Sequence, residues 1–261
     1  MKTVILCGGK GYRLKEETEF KPKPMVMIGN KPILWHIMKI YAHYGYNDFI
    51  IALGYKGDYI KEYFLNQKYF ANDFSLFTKT GNTKIVRDHS RSRGIDNFKI
   101  TFVDTGLESL PGERILRIHK YIPKSDDTFM VTYGDGVSNI NIRNLVNFHK
   151  KQKTVGTITG VYPTSKYGVV KQNVKHRVTH FMEKPTLQDW VNGGFMVFNK
   201  RFFSYIRHDE YEHEALKRLM REKQLSLYVH KGFWQCMDTY TDLEHLNTLW
   251  NQNPPWKIWK D

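Results

Sequence analysis

Apolar positions in the first half of the chain switch between two periods. Short runs rich in β-branched and aromatic residues, Thr3–Cys7, Phe49–Leu53, Lys99–Val103 and Phe129–Tyr133, read as buried strands. Between the first two, Ile33, Leu34, Ile37, Met38 and Tyr41 fall on one face at helical spacing, and a second helix is expected near Arg114–Tyr121. This alternation predicts an α/β fold: a mostly parallel, doubly wound, Rossmann-like sheet with ligands at the strand C-termini.

After about Thr154 the rhythm changes. Thr157–Tyr162, Gly168–Lys171 and Val178–Phe181 read as strands with hairpin-length gaps, so the sheet is expected to be mixed. Gly194–Phe198 returns to the core, Glu210–Lys223 is a helix and Leu225–Val229 a last strand. A terminal helix, Asp242–Leu249, precedes the Pro254-Pro255 stop. No clean linker interrupts the chain. We therefore expect one domain over 1–240, with a small hairpin and helical part leading to a C-terminal extension, 241–261, packed on it. The polar stretch Thr78–Asn97 is expected to be a long mobile loop.

Composition narrows the possibilities. With 261 residues, 41% of them hydrophobic, the chain can bury a substantial core. Two cysteines, Cys7 and Cys236, make no disulfide framework and no zinc spacing, which points to a reducing cytoplasm. No apolar run approaches the ~20 residues that span a bilayer, so no membrane partner is expected. The net charge of +14 suits an anionic ligand without identifying one, and a lysine-rich solvated surface gives the same number. Nucleic acid would need a clustered basic face. The nearest candidate is Lys84 with Arg87 to Arg93, and no RNA-module signature accompanies it, so nucleic acid is not expected as a partner.

The chemistry is concentrated where the first strand ends. In Leu6-Cys7-Gly8-Gly9-Lys10-Gly11-Tyr12-Arg13-Leu14, glycines let backbone N–H groups approach an anion closely. Arg13 and Lys23, the latter in Lys21-Pro22-Lys23-Pro24, add fixed cations suited to a polyphosphate. A Walker A loop is excluded, because Gly9-Lys10 is followed by Gly11 and Val4 stands where the first glycine should be. The dinucleotide fingerprint is excluded by Leu14 in place of its third glycine. Further along, Asp135 in Tyr133-Gly134-Asp135-Gly136 follows a buried strand, where a carboxylate suits Mg²⁺ bridging phosphate oxygens. Read alone it is also an ordinary Asp-Gly turn, and Asp238 in Met237-Asp238-Thr239 could equally cap a helix. His208 and His213 lack a third ligand and make no zinc set, and His36 reads as packed core or edge.

These motifs resemble those of the sugar-1-phosphate nucleotidyltransferases, whose signature is GGxGxRL, then PKPM and IGxKPIL. The resemblance runs from end to end, through Gly54-Tyr55-Lys56-Gly57, Val103-Asp104-Thr105-Gly106, Glu183-Lys184-Pro185, Asn192-Gly193-Gly194-Phe195 and Gly232-Phe233-Trp234-Gln235. Within that family the ordered set is most similar to the cytidylyltransferases that act on glucose 1-phosphate. The resemblance implies a transferase that makes CDP-glucose and pyrophosphate from CTP and a sugar 1-phosphate. Catalysis would fall to Arg13, Lys23, Asp135 and Lys184. The nucleotide would be held by Leu6 to Arg13, Lys23, Gly134, Leu110 and Thr105, with the Thr105 hydroxyl able to read the base edge. Tyr133, Glu183, Lys184, Asn192 and Gly193 would hold the sugar phosphate, and Asp135 and Asp238 a Mg²⁺ ion. It also implies a homo-oligomer, a hexamer, with subunits completing each other's nucleotide sites.

Two departures stand out. Tyr12 replaces a small hydroxyl residue and must turn outward or stack, and Lys10 adds a cation that could touch phosphate. An alternative is a cytidylyltransferase for another phosphorylated acceptor, which Tyr162–Tyr167 and Thr186–Trp190 would discriminate. A non-catalytic regulatory relative would be expected to lose cations or carboxylates that this chain retains.

Overall fold

The computed structural model describes residues 1–89 and 96–260, the side chains of Arg13, Lys15 and Glu16 excepted. Seven strands build the central sheet: β1 (Thr3–Cys7), β2 (Asp48–Leu53), β3 (Lys99–Asp104), β4 (Thr128–Tyr133), β5 (Gly156–Val161), β6 (Val191–Asn199) and β7 (Leu225–Val229). Their spatial order is β7-β5-β6-β4-β1-β2-β3. Only β6 runs against the others, so the sheet is mixed but mostly parallel, as the strand–helix alternation implies.

Strand alternation divides the interior into two cores. Ile5 and Cys7 of β1 face one way, toward helix α1 (Ile33–His43). Val4 and Leu6 face the other way, toward α3 (Pro111–Arg117) and α5 (Glu212–Arg221). Helices on both faces make the doubly wound architecture. Among the described residues, further helices of more than ten residues are α2 (Gly57–Phe70), α4 (Ile142–Gln152) and α6 (Tyr240–Gln252). The apolar pattern does not mark α2, which buries only Ile60; α4 buries Ile142, Leu145, Val146 and His149, though seven of its eleven residues are polar. Among the described residues no helix is long and apolar enough to cross a membrane.

The C-terminal residues are structural. Trp256 is fully buried beside His36, and Trp250 and Trp259 complete an aromatic cluster around that imidazole. His36 Nε2 lies 3.0 Å from the Ile28 carbonyl, and Trp256 Nε1 donates to His36 Nδ1 at 3.3 Å. The tail thus closes the α1 face of the core.

Two local expectations are corrected. The helix expected to begin near Arg114 begins at Pro111, whose fixed φ and missing N–H suit a first helical position. The stretch 78–97 is not a loop throughout: Asn82–Arg87 is a strand paired antiparallel with Asp73–Phe77. Its charged residues face solvent, and pairing with a partner strand needs no buried face, so polarity alone misled. Residues 90–95 of that stretch lie outside the described residues.

Candidate active site

Strand ends bring the chemistry together. The C-terminal ends of β1 and β4 are adjacent in the sheet, which sets the glycine loop after Cys7 beside Gly134 and Asp135. Gly134 N donates to the Leu6 carbonyl at 3.2 Å. A short antiparallel pair then recruits a distant segment: Trp234–Cys236 runs beside Gly136–Ser138, and Met237 N donates to Asp135 O at 2.8 Å. Asp238 therefore arrives next to Asp135. It is not the cap of the following helix, because Thr239 takes that role in a capping box with Asp242. Asp238 is left to face the cleft.

Between the two carboxylates sits Lys23. Its Nζ is 2.7 Å from Asp135 Oδ2 and 2.8 Å from Asp238 Oδ1. Burial works against the ammonium charge, yet Asp135 and Asp238 outweigh it and raise the pKa. Lys23 is buried because it sits in a single 3₁₀ turn, Lys23–Met25, that packs against the core with Pro24 and Met25.

Two clefts meet at this triad. The larger, about 620 Å³, is bounded by the glycine loop, Lys23, Gly134, Asp135 and the segment Leu107–Pro111. The smaller, about 290 Å³, is bounded by Asn192, Gly193, Trp234, Cys236 and Asp238. Tyr133 and Asp135 line both. Gly194, at φ +84°, lets its backbone lie against the Tyr133 ring: a Cβ there would be 2.6 Å from Cδ2.

The expected site residues divide accordingly. Leu6, Cys7, Gly8, Gly9, Lys10, Gly11, Tyr12, Lys23, Leu110 and Gly134 line the larger cleft. Asn192 and Gly193 line the smaller, and Asp135 and Tyr133 join the two. Arg13 falls outside the described side chains. Tyr12 points outward at 76% exposure. Lys10 is engaged by Glu108, 2.7 Å away across the cleft mouth, so its ammonium is tied to the opposite loop. Thr105 does not present its hydroxyl to the cleft. It is fully buried, donates to the Leu53 carbonyl at 2.5 Å and accepts from Arg114 Nη1 at 2.7 Å, because the β3 end packs against its neighbour β2. Glu183 and Lys184 are exposed and line neither cleft. They follow the hairpin Val169–Gln172/Val178–Met182, which projects beyond the main sheet, and Lys184 adopts φ +45°. At the base of that arm Tyr162 stacks on Trp190 with ring centroids 3.7 Å apart, so the two segments expected to discriminate acceptors are neighbours.

The pattern missed Arg114. Its side chain is buried beneath the larger cleft, where its guanidinium donates to the carbonyls of Leu53, Gly8, Gly106 and Leu107 as well as to Thr105. One planar fork thus ties the loop after β1 to the loop after β3. Gly8 is required for this, since a Cβ there would lie 2.1 Å from the Arg114 Cζ. In the sequence Arg114 is an ordinary cation within a short helix, and nothing local marks it. Trp234 donates Nε1 to the Gly193 carbonyl at 2.8 Å and lines the smaller cleft. Neither thiol is poised to react: burial and the nearby Asp135 push Cys7 far up, and burial with Asp238 and Asp135 pushes Cys236 up to about 12.

The donor set suits a hard divalent cation. Two carboxylates from separate segments converge on one positive centre, and Mg²⁺ typically takes one or two protein carboxylates with phosphate and water completing its shell. Among the described residues no group of three or more His, Cys, Asp or Glu side chains forms a closed metal cage.

Comparison with known proteins decides the family. The nucleotidyl transferase family model matches residues 2–254. The chain belongs to the nucleotidyl transferase family. Its relatives include a probable glucose-1-phosphate cytidylyltransferase of Bacillus subtilis, 43% identical with 99% of this chain and 100% of that protein aligned. A glucose-1-phosphate cytidylyltransferase of Salmonella typhimurium is 42% identical with both chains fully covered. Among solved structures, HddC from Yersinia pseudotuberculosis superimposes with a TM-score of 0.68 at 24% identity, covering 95% of this chain and 99% of that one. A UDP-glucose pyrophosphorylase complexed with UDP-glucose gives 0.68 at 18% identity, over 96% and 98% of the two chains. Both share the fold. Members of this transferase family use a nucleoside triphosphate, a sugar phosphate and a divalent metal.

Proposed function

We propose that this nucleotidyltransferase converts CTP and glucose 1-phosphate to CDP-glucose and pyrophosphate, with Mg²⁺. The observation that carries the reading is the pair of clefts meeting at Tyr133 and Asp135, with Lys23, Asp135 and Asp238 at their junction. A nucleotide fits the larger cleft and a sugar the smaller, so their phosphates face each other across the triad. The full-length relatives named for this activity support the choice of base and sugar.

In the reaction an oxygen of the sugar phosphate attacks the α-phosphorus of CTP, and the bond to the β-phosphate oxygen breaks as pyrophosphate leaves. The nucleophile is already anionic near neutral pH, so the protein need not remove a proton. Its contribution is orientation and charge. The glycine loop offers backbone N–H groups to the triphosphate, and Lys23, with Arg13, balances the charge gathering on pyrophosphate. Arg114 holds the two loops that flank the base, and Asn192, Gly193 and Trp234 shape the sugar's cleft. By resemblance, Lys184 and Glu183 are the residues that would meet the acceptor's phosphate and hydroxyls. Asp135 and Asp238 would hold Mg²⁺, which would supply positive charge to stabilise the phosphates during transfer.

The enzyme acts in the cytoplasm as a homo-oligomer. The hairpin Asp73–Phe77/Asn82–Arg87 supports assembly, because it exposes Phe74, Leu76, Phe77 and Val86 on a two-stranded ribbon. Pyrophosphate release, measured with four nucleoside triphosphates crossed against a panel of phosphorylated acceptors, tests the activity. Release with CTP and glucose 1-phosphate alone is expected. Turnover with CTP and a different acceptor moves the specificity, and no release with any pair overturns the proposal.

A further inference from the structure

Lys23 places its ammonium between the two carboxylates that would hold a metal ion. Its ammonium is 2.7 Å from one carboxylate and 2.8 Å from the other, and its side chain is only 11% exposed. The two aspartates reach that point from segments 112 and 215 residues away from Lys23 in the chain. A pair of carboxylates this close needs a cation, and here the protein supplies its own. Mg²⁺ would draw on the same two carboxylates, and the ammonium between them obstructs it by both volume and charge.

We propose that Lys23 is a built-in counter-ion, holding the metal site shut until a nucleoside triphosphate draws the ammonium away. The stem of Lys23 rises beside the glycine loop: the position of a Cβ on Gly11 would be 3.3 Å from the Lys23 Cβ. The ammonium therefore has a second set of anionic partners within reach once phosphates lie along that loop. Leaving the aspartates, it moves to the phosphates and frees the carboxylates for the metal. Lysine suits this exchange because it is a compact charge on a flexible four-carbon stem, whereas arginine's planar fork is fixed. Metal and triphosphate each favour the displaced lysine, so each tightens the other's binding by the same factor.

The inference rests on the metal assignment of the proposed function, and direct Mn²⁺ binding separates the two. Free Mn²⁺ is titrated by electron paramagnetic resonance against nucleotide-free wild type, Lys23→Gln and Lys23→Arg, then against wild type with CTP and no acceptor. Thermal melting confirms that each variant is folded. Weak binding to free wild type is expected, tightening about tenfold or more with CTP beyond the Mn²⁺ that CTP binds without protein. Lys23→Gln is expected to bind Mn²⁺ about tenfold or more tighter than wild type without nucleotide, while Lys23→Arg stays weak. Asp135→Asn in the Lys23→Gln background removes that binding. Equal affinity in free wild type and Lys23→Gln, still abolished by Asp135→Asn, overturns the counter-ion role and leaves the metal assignment standing. Binding that survives Asp135→Asn overturns the metal assignment and this inference with it.

Discussion

The buried His36 makes the protein's stability depend on mildly acidic pH. The imidazole is 0% exposed and set among Trp35, Trp250, Trp256 and Trp259. Trp256 Nε1 donates to Nδ1, so Nδ1 must be an acceptor and Nε2 carries the proton toward the Ile28 carbonyl. A second proton would set two donors against each other in an apolar pocket. Burial accordingly lowers the pKa from 6.5 to about 4. The folded value lies below the unfolded one, so between these pH values the unfolded chain binds more protons. Stability is complete above about pH 6.5, falls as the pH drops, and the loss levels off below about pH 4. At about 1.4 kcal/mol per tenfold change in proton affinity, the full loss is about 3 kcal/mol. From pH 7.5 to pH 5 it is about 2 kcal/mol, which lowers Tm by about 4–8 °C in a chain of this size. The assay is thermal melting by circular dichroism at pH 7.5 and 5.0, comparing wild type with His36→Gln. Glutamine keeps a donor and an acceptor but does not titrate, while every other group titrates alike in both proteins. The wild type should lose about 4–8 °C more than the variant. Equal losses would refute the assignment of this pH dependence to His36.

Three further outcomes follow from the site. Arg114→Lys keeps the charge but cannot bridge both loops, so it should weaken CTP binding by about tenfold to a hundredfold, the effect of one or two charged hydrogen bonds. The KM for glucose 1-phosphate should stay within about twofold, and equal losses for both substrates would sink the loop-bridging role. Gly8→Ala drives a methyl into the Arg114 guanidinium and should lower Tm and abolish CTP binding measured by calorimetry; normal binding would show that the fork can yield. Asp238→Asn should cut turnover about a hundredfold or more with Tm near wild type, and full activity would remove Asp238 from the metal site.

Local chemistry made much of this protein legible. β-branched runs want a pleated, buried surface, and helical spacing wants one apolar face, so the strands of the parallel half and α1 followed from pattern alone. Glycines before a cation marked the phosphate loop, since backbone approach and charge are properties of neighbouring residues. Contacts between distant segments were decided only by the tertiary structure. Pairing of Trp234–Cys236 with Gly136–Ser138 placed Asp238 beside Asp135, and Lys23 came to lie between them. Packing of β3 against β2 turned the Thr105 hydroxyl inward, where Arg114 meets it. The exposed hairpin that ends at Arg87 carries no buried face, and hydrophobic periodicity registers only faces that are buried. Residue type and spacing report what a segment can bury and which charges it carries. Which charges share a site depends on the register and order of strands far apart in the chain, and these are set by the packing of the whole domain.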